Sequence, residues 1–300
     1  MSRREPVFTG TCTALVTPFN EYGAVNTARF ASLIDEQILN GTDAICVCGT
    51  TGETPTLSIR EHLNAIAFCC RYADHRIKVL AGAGGNDTAS AAYISTRAQE
   101  AGADALLLVT PYYNKTTQEG LVRHYEYIAD RVDIPIILYN VPTRTGISFT
   151  AETYQTLAQD PRINGVKEAS GNFNLISHTR YLCGDDFYLW SGNDDQVVPM
   201  MALGAKGVIS VAGNLVPKVM VRMTHLCLAG EFQEAAQLQL KFLKLMDALF
   251  LDVNPIPVKT AMNLLCKDVG EVRLPLCEMS ADHLSVLKGE LEALGLLKAS

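Results

Sequence analysis

What this 300-residue chain lacks narrows its function first. No apolar run approaches the roughly eighteen residues that a membrane-crossing helix needs, and the N-terminus has no apolar core of the signal-peptide kind. Basic residues form no run beyond Ser2-Arg3-Arg4 and the formal net charge is −7, so there is no electrostatic footprint for nucleic acid or an anionic membrane. The nine cysteines, Cys12, Cys46, Cys48, Cys69, Cys70, Cys183, Cys227, Cys266 and Cys277, contain no CxxC pair and are odd in number. They are expected to be reduced, mostly buried small hydrophobes of a cytoplasmic protein, with Cys46 and Cys48 on one face of a strand. On the same grounds the Asn-x-Thr triplets at Asn40, Asn86 and Asn114 are chance matches. His62, His75, His124, His178, His225 and His283 show no HExxH or other metal-ligand spacing, and Ala81-Gly82-Ala83-Gly84-Gly85 lacks the third glycine of a nucleotide loop. No low-complexity linker and no sequence repeat divide the chain. A small-molecule enzyme fits these absences better.

What is present is a structural period. With 48% hydrophobic residues the chain can bury a large core. Mostly continuous apolar runs suited to strands covered on both sides occur at Thr11 to Val16, Ala44 to Cys48, Lys78 to Ala83, Ala105 to Val109, Pro135 to Tyr139, Ile163 to Lys167, Phe187 to Ser191 and Gly207 to Val211. They alternate with amphipathic stretches at Asn26 to Leu39, Ser58 to Tyr72, Thr88 to Ala101, Thr117 to Ala129, Thr150 to Gln159, Asn172 to Leu182, Asp194 to Leu203 and Pro217 to Leu228. Ser58 with Glu61 makes a capping box, and Gly41, Gly102, Gly204 and Gly230 stand where helices should stop. Eight such units predict an α/β fold, a (β/α)8 TIM barrel over residues 1–228. Residues 229–300 then read as helices alone, Glu231 to Leu251, Pro257 to Cys266 and Ser280 to Leu294. This C-terminal helical extension either pads the barrel or carries an oligomer contact.

In such a barrel the chemistry gathers at the carboxyl ends of the strands. The sixth strand runs out through Gly165-Val166-Lys167-Glu168-Ala169-Ser170-Gly171-Asn172, which places Lys167 at that rim. An amine held among apolar walls has its charged form disfavoured, as Schiff-base chemistry on a keto acid requires; the routine alternative is a snorkelling surface lysine. The second strand ends in Gly49-Thr50-Thr51-Gly52-Glu53, whose hydroxyls and backbone N–H groups suit a carboxylate as well as they suit an ordinary turn. Tyr139 sits level with Lys167 on the neighbouring strand, where a phenol can shuttle protons, and Arg144 five residues on can clamp a carboxylate bidentately. A packed aromatic and a surface arginine are the plain readings of those two. The seventh and eighth strand ends, Ser191-Gly192-Asn193 and Ile209-Ser210-Val211, are expected to bring backbone close and to supply little side-chain chemistry.

Taken in order, GTTGE at Gly49, TPYYN at Thr110, YNVPTRTG at Tyr139, GVKEASGN at Gly165, SGND at Ser191, GVISV at Gly207 and NPIPVK at Asn254 resemble the dihydrodipicolinate synthases. These are Schiff-base pyruvate aldolases of a family that also holds sialic-acid lyases. The resemblance covers essentially the whole chain. It implies a cytoplasmic lyase of diaminopimelate and lysine biosynthesis that condenses pyruvate with L-aspartate 4-semialdehyde, usually as a homotetramer, with neither metal nor cofactor. It further implies that Lys167 forms the Schiff base and that Thr50, Tyr139 and Tyr113 relay protons, Tyr113 from a neighbouring subunit. Thr51 would hold the pyruvate carboxylate, Arg144 the carboxylate of the aldehyde, and Gly192 and Ile209 would supply backbone near the site.

Two departures concern regulation. His62, Asn86 and Tyr112 match positions of the pocket through which members of this family are inhibited by lysine. Where that pocket usually carries a glutamate the chain has Ser90, and Ile59 replaces a common histidine, so weak or absent inhibition is expected. A retro-aldolase of sugar acids or of 4-hydroxy-2-oxoglutarate would use the same Lys167 and Tyr139. Pro142, Arg144 and Gly146 favour the synthase, since sialic-acid lyases typically lack an arginine there. A catalytically dead keto-acid sensor is disfavoured by the intact Lys167, Thr50, Tyr113 and Tyr139.

Overall fold

The computed structural model describes residues 5–298, so the basic run Ser2-Arg3-Arg4 lies outside the described residues. Eight parallel strands close on themselves in sequence order, the first pairing with the last through Gly10↔Gly207 to Thr13↔Ser210. They are β1 (Gly10–Ala14), β2 (Ala44–Val47), β3 (Lys78–Gly82), β4 (Ala105–Val109), β5 (Ile136–Asn140), β6 (Ile163–Glu168), β7 (Tyr188–Ser191) and β8 (Gly207–Ser210). The helices between and after them are α1 (Thr27–Leu39), α2 (Ile59–Ala73), α3 (Thr88–Glu100), α4 (Gln118–Ala129), α5 (Pro142–Thr145), α6 (Ala151–Leu157), α7 (Phe173–Cys183), α8 (Val197–Ala202) and α9 (Pro217–Leu228). Past the barrel come α10 (Phe232–Ala248), α11 (Ile256–Leu264) and α12 (Ala281–Ala293). The fold is a TIM barrel with C-terminal helices. No helix among the described residues is long and apolar enough to cross a membrane.

Strand alternation sorts the core into two clusters. Cys12, Ala14, Ala44, Cys46, Leu80, Ala105, Leu107, Ile137, Tyr188, Trp190 and Ile209 point into the barrel, while Ile45, Val47, Val79, Leu106, Leu108, Leu138 and Val166 face the helices. Phe8, just before β1, stacks on Trp190 with centroids 5.2 Å apart, and its carbonyl accepts from the indole N–H, which plugs the amino-terminal end. The barrel is therefore packed at that end, and a cavity opens along the carboxyl ends of β2 to β5. The helices start where the sequence places their caps. Ser58 and Glu61 form the expected capping box on α2, and the side chains of Asn26, Asp87, Thr117, Thr150, Asn172 and Ser280 cap α1, α3, α4, α6, α7 and α12.

Two expectations fail for local reasons. Cys46 and Cys48 do not share a face: β2 stops at Val47, and Cys48, at φ 55°, turns out of the strand, so Cys46 faces the interior and Cys48 the helices. The helix after β7, α8, is shorter than the expected Asp194 to Leu203. Residues Asp194–Gln196 form a 3₁₀ turn whose Asp194 carboxylate is drawn to the N–H groups of Val211 and Ala212 instead of capping its own helix.

Candidate active site

The β5–β6 ladder fixes the centre of the open rim. Its register pairs Tyr139 with Lys167 and Asn140 with Glu168. Successive residues point to opposite faces, so the first rung is turned inward and the second toward the helices. Lys167 is 5% exposed and Tyr139 7%, and the lysine Nζ lies 4.4 Å from the centre of the phenol ring. Behind them the carboxylate of Glu168 accepts from Asn140 Nδ2 (3.0 and 3.1 Å), the Tyr154 hydroxyl (2.9 Å) and the Ser170 N–H (2.8 Å). Burial raises the carboxyl above its ordinary range, and these four donor contacts oppose the rise. This outward rung locks the register that places the inward one.

Gly192 backs the lysine. A Cβ at this position would stand 2.6 Å from Ala169 Cβ and 3.2 Å from Lys167 Cε, so the stem of Lys167 runs along space that only glycine leaves. Ile209 is fully buried in the interior. The seventh strand end supplies more chemistry than expected. Asp194 is 3% exposed, its Oδ2 accepts from Val211 N (3.0 Å) and Ala212 N (2.8 Å), and its Oδ1 has no hydrogen-bond partner. Burial pushes its carboxyl up, and among the influences that hold it down is the charge of Lys167.

Thr50–Gly52 form a 3₁₀ turn. Thr51 is buried, and its Oγ1 accepts from Asn254 Nδ2 at 3.0 Å; Thr50 lies on the wall of a cavity of about 420 Å³. Tyr139 and Arg144 line the same cavity, with Arg144 carried on the short helix α5 that Pro142 opens and Gly146, at φ 69°, closes. The Arg144 guanidinium is exposed, with one contact of 3.4 Å to the Asn254 carbonyl. His62, Asn86, Tyr112, Ser90 and Ile59 line this cavity too. His62 donates from Nε2 to the Gly82 carbonyl at 2.7 Å, and burial holds its imidazole below its usual range.

Of the residues singled out in the sequence, Lys167, Tyr139, Thr50, Thr51, Arg144, Gly192 and Ile209 are gathered at one rim. Thr50, Tyr139 and Arg144 stand on the cavity wall and Lys167, Thr51, Gly192 and Ile209 do not; Tyr113, in the loop after β4, is 90% exposed at φ 67° and is not on that wall either. Sequence reasoning passed over Glu168, Asn140, Asp194 and Asn254. Glu168 and Asp194 had a signal, acidic residues within three positions of a barrel strand's end. Asn254 had only its place in a motif 203 residues away from the threonine it touches.

Comparison with known proteins places the chain among relatives of like length. The sequence model of the dihydrodipicolinate synthetase family matches residues 7–294. A 4-hydroxy-tetrahydrodipicolinate synthase of Thermoanaerobacter sp. (strain X514) is 51% identical over 294 residues, 98% of this chain and 99% of that protein. The crystal structure of dihydrodipicolinate synthase from Aquifex aeolicus superposes with a TM-score of 0.95 at 45% identity, covering 97% of this chain and all of that one. The chloride-inhibited dihydrodipicolinate synthase of Acinetobacter baumannii, solved with pyruvate, gives 0.94 at 39% identity over 96% of this chain and 99% of its own.

Proposed function

The chain belongs to the dihydrodipicolinate synthetase family, and from that premise we propose that it condenses pyruvate with L-aspartate 4-semialdehyde to 4-hydroxy-tetrahydrodipicolinate. The observation that carries the reading is the inward rung of β5 and β6, a buried amine beside a phenol at the carboxyl end of a packed barrel.

In this reading Lys167 attacks the pyruvate ketone, and loss of water leaves an imine whose protonated form makes the methyl group acidic. Loss of a methyl proton gives the enamine, which adds to the aldehyde carbon. The amino group of the second substrate then attacks the imine carbon, closes the ring and releases Lys167. The iminium is the electron sink, so the chemistry calls on no metal or cofactor. Thr51 holds the pyruvate carboxylate. Tyr139 and Thr50 carry protons to and from the lysine-bound carbon, with Tyr113 completing the relay from a neighbouring subunit of a homotetramer. Arg144 takes the aldehyde's carboxylate, and Gly192 and Ile209 shape the space beside the imine. The exposure of Tyr113 supports its service to another copy, and nine unpaired cysteines suit the reducing cytoplasm.

The test is pyruvate-dependent consumption of L-aspartate 4-semialdehyde, coupled to a downstream reductase, with Lys167→Ala alongside. Turnover in the wild type that collapses in the variant is the expected result. Borohydride trapping of pyruvate on Lys167 without turnover would leave the Schiff base standing and overturn the choice of acceptor.

A further inference from the structure

The proposed mechanism makes no use of a second buried lysine. Lys259, on α11, is 1% exposed, and its Nζ lies 2.9 Å from Oε1 of Glu53, itself 2% exposed. All three ammonium donors are used, the other two on the carbonyls of Glu271 (2.6 Å) and Thr17 (3.3 Å). Glu53 ends the Thr50–Gly52 turn in a left-handed conformation, φ 54° and ψ 34°, unusual outside glycine and asparagine. Its Oε2 accepts the Arg273 N–H at 2.9 Å. Taking two charges out of water is costly, and removing one partner leaves the other stranded, so this pair is costly to keep unless it fixes a geometry.

The geometry it fixes is that of the turn after β2. Thr17 Oγ1 donates to the Gly52 carbonyl at 2.7 Å, so the same lysine that binds Glu53 also holds, through the Thr17 carbonyl, the strand-end residue that grips Gly52. Asn254, five residues before Lys259, donates from Nδ2 to Thr51 Oγ1 at 3.0 Å. That contact occupies an acceptor site on the hydroxyl and leaves its proton to be presented to a ligand oxygen. Lys259, Asn254 and Arg273 reach the turn from outside the eight strand-helix units, and only Thr17 reaches it from within them.

We propose that the C-terminal region is a positioning part of the pyruvate site. The Glu53–Lys259 pair clamps the turn from Gly49 to Gly52, and Asn254 orients the Thr51 hydroxyl as a donor to the pyruvate carboxylate. Lys259, Glu53 and Asn254 are positioning residues, not catalytic ones. The orientation rests on the reading of Thr51 given above.

The experiment measures both KM values, kcat and the melting temperature for full-length Lys259→Met, Asn254→Ala, Thr51→Val and the Thr51→Val/Asn254→Ala double variant. Asn254→Ala is expected to raise the pyruvate KM about tenfold, the scale of a hydrogen bond to a charged group, with the aldehyde KM held within about twofold. In the Thr51→Val background the same change should add less than about twofold, because its effect runs through the missing hydroxyl. Lys259→Met should raise the pyruvate KM alike. If that variant does not fold, Asn254→Ala, which strands no charge, decides. A pyruvate KM within about twofold of wild type in both single variants, or full additivity in the double variant, overturns the proposal. If Thr51→Val leaves the pyruvate KM unchanged while Lys259→Met raises it, the assignment of Thr51 falls and the clamp stands. The opposite pattern sinks the clamp and keeps the assignment.

Discussion

The Nζ of Lys167 lies 4.4 Å from the centre of the Tyr139 ring, and the two residues are direct partners on adjacent strands. The ring packs beside the amino group and helps to place it, while the hydroxyl is the group placed to move protons. Tyr139→Phe keeps the first and removes the second. It should lower kcat by about 10²- to 10⁴-fold and still allow pyruvate to be trapped by borohydride. Tyr139→Ala should weaken both turnover and trapping. A Phe variant that turns over at the wild-type rate would remove the phenol from the relay.

Arg144, exposed and on the cavity wall, has one long contact to protein, at 3.4 Å to the Asn254 carbonyl. Arg144→Ala should therefore lower kcat/KM for the aldehyde by about 10- to 100-fold, the scale of charge-assisted hydrogen bonds. Pyruvate trapping on Lys167 should be unchanged. A variant that loses trapping instead would place Arg144 at the first substrate.

The sequence carried the fold because each strand-helix unit repeats one period change, from continuous apolar strands to helices with one apolar face, and caps such as Ser58 and Asn172 mark the switch. It carried Lys167 and Tyr139 because strand length alone sets which residue reaches the rim. It could not carry Lys259. A lysine in an apolar helix reads as an exposed one, and its partner Glu53 is 206 residues distant. Nor could it foresee the turn at Cys48, since a left-handed cysteine has no local signal and the strand's apolar run continues through it. The role of Glu168 was hidden by its neighbour, because only the strand's alternation separates an outward clamp from an inward nucleophile.

That clamp has a measurable strength. Tyr154 donates to Glu168 Oε2 at 2.9 Å, and its ring packs on Phe149 and Phe187 with centroids 4.6 and 5.7 Å away. Tyr154→Phe retains the packing and withdraws one donor from a buried carboxylate. The expected cost is about 1.5–3 kcal/mol in the unfolding free energy from urea titration. A change below about 0.5 kcal/mol would mean that the hydroxyl does not hold the rung.

Acid should destabilise the fold through His124. Its Nδ1 bonds the Thr88 hydroxyl at 2.8 Å, its Nε2 has no partner, and burial lowers its pKa to about 4 against a weaker pull upward from Asp87. The unfolded imidazole titrates at 6.5. Between those values the unfolded chain binds a proton that the folded one refuses, so stability present above pH 6.5 is lost as the pH falls toward 4. The full loss is about 3 kcal/mol from this group. His124→Gln should flatten that part of the stability profile, and a variant with the wild-type slope would clear His124.

Lysine should inhibit the enzyme weakly or not at all. Ser90 and Ile59 stand on the cavity wall near His62, Asn86 and Tyr112, so the space for a ligand is present while the Ser90 position supplies no charge. One carboxylate does reach the wall, that of Asp87, but its Oδ1 is engaged at 2.7 Å by the Ser90 N–H as the cap of α3. Asp87 is exposed to water, so a contact between its remaining oxygen and a lysine amine would be screened and weak. An inhibition curve that saturates at submillimolar lysine would show that Asp87 serves after all. If it does not saturate, Ser90→Glu is the informative variant: a free carboxylate at the start of α3 should restore a charge-assisted contact and strengthen inhibition by about tenfold or more, with kcat in the absence of lysine unchanged.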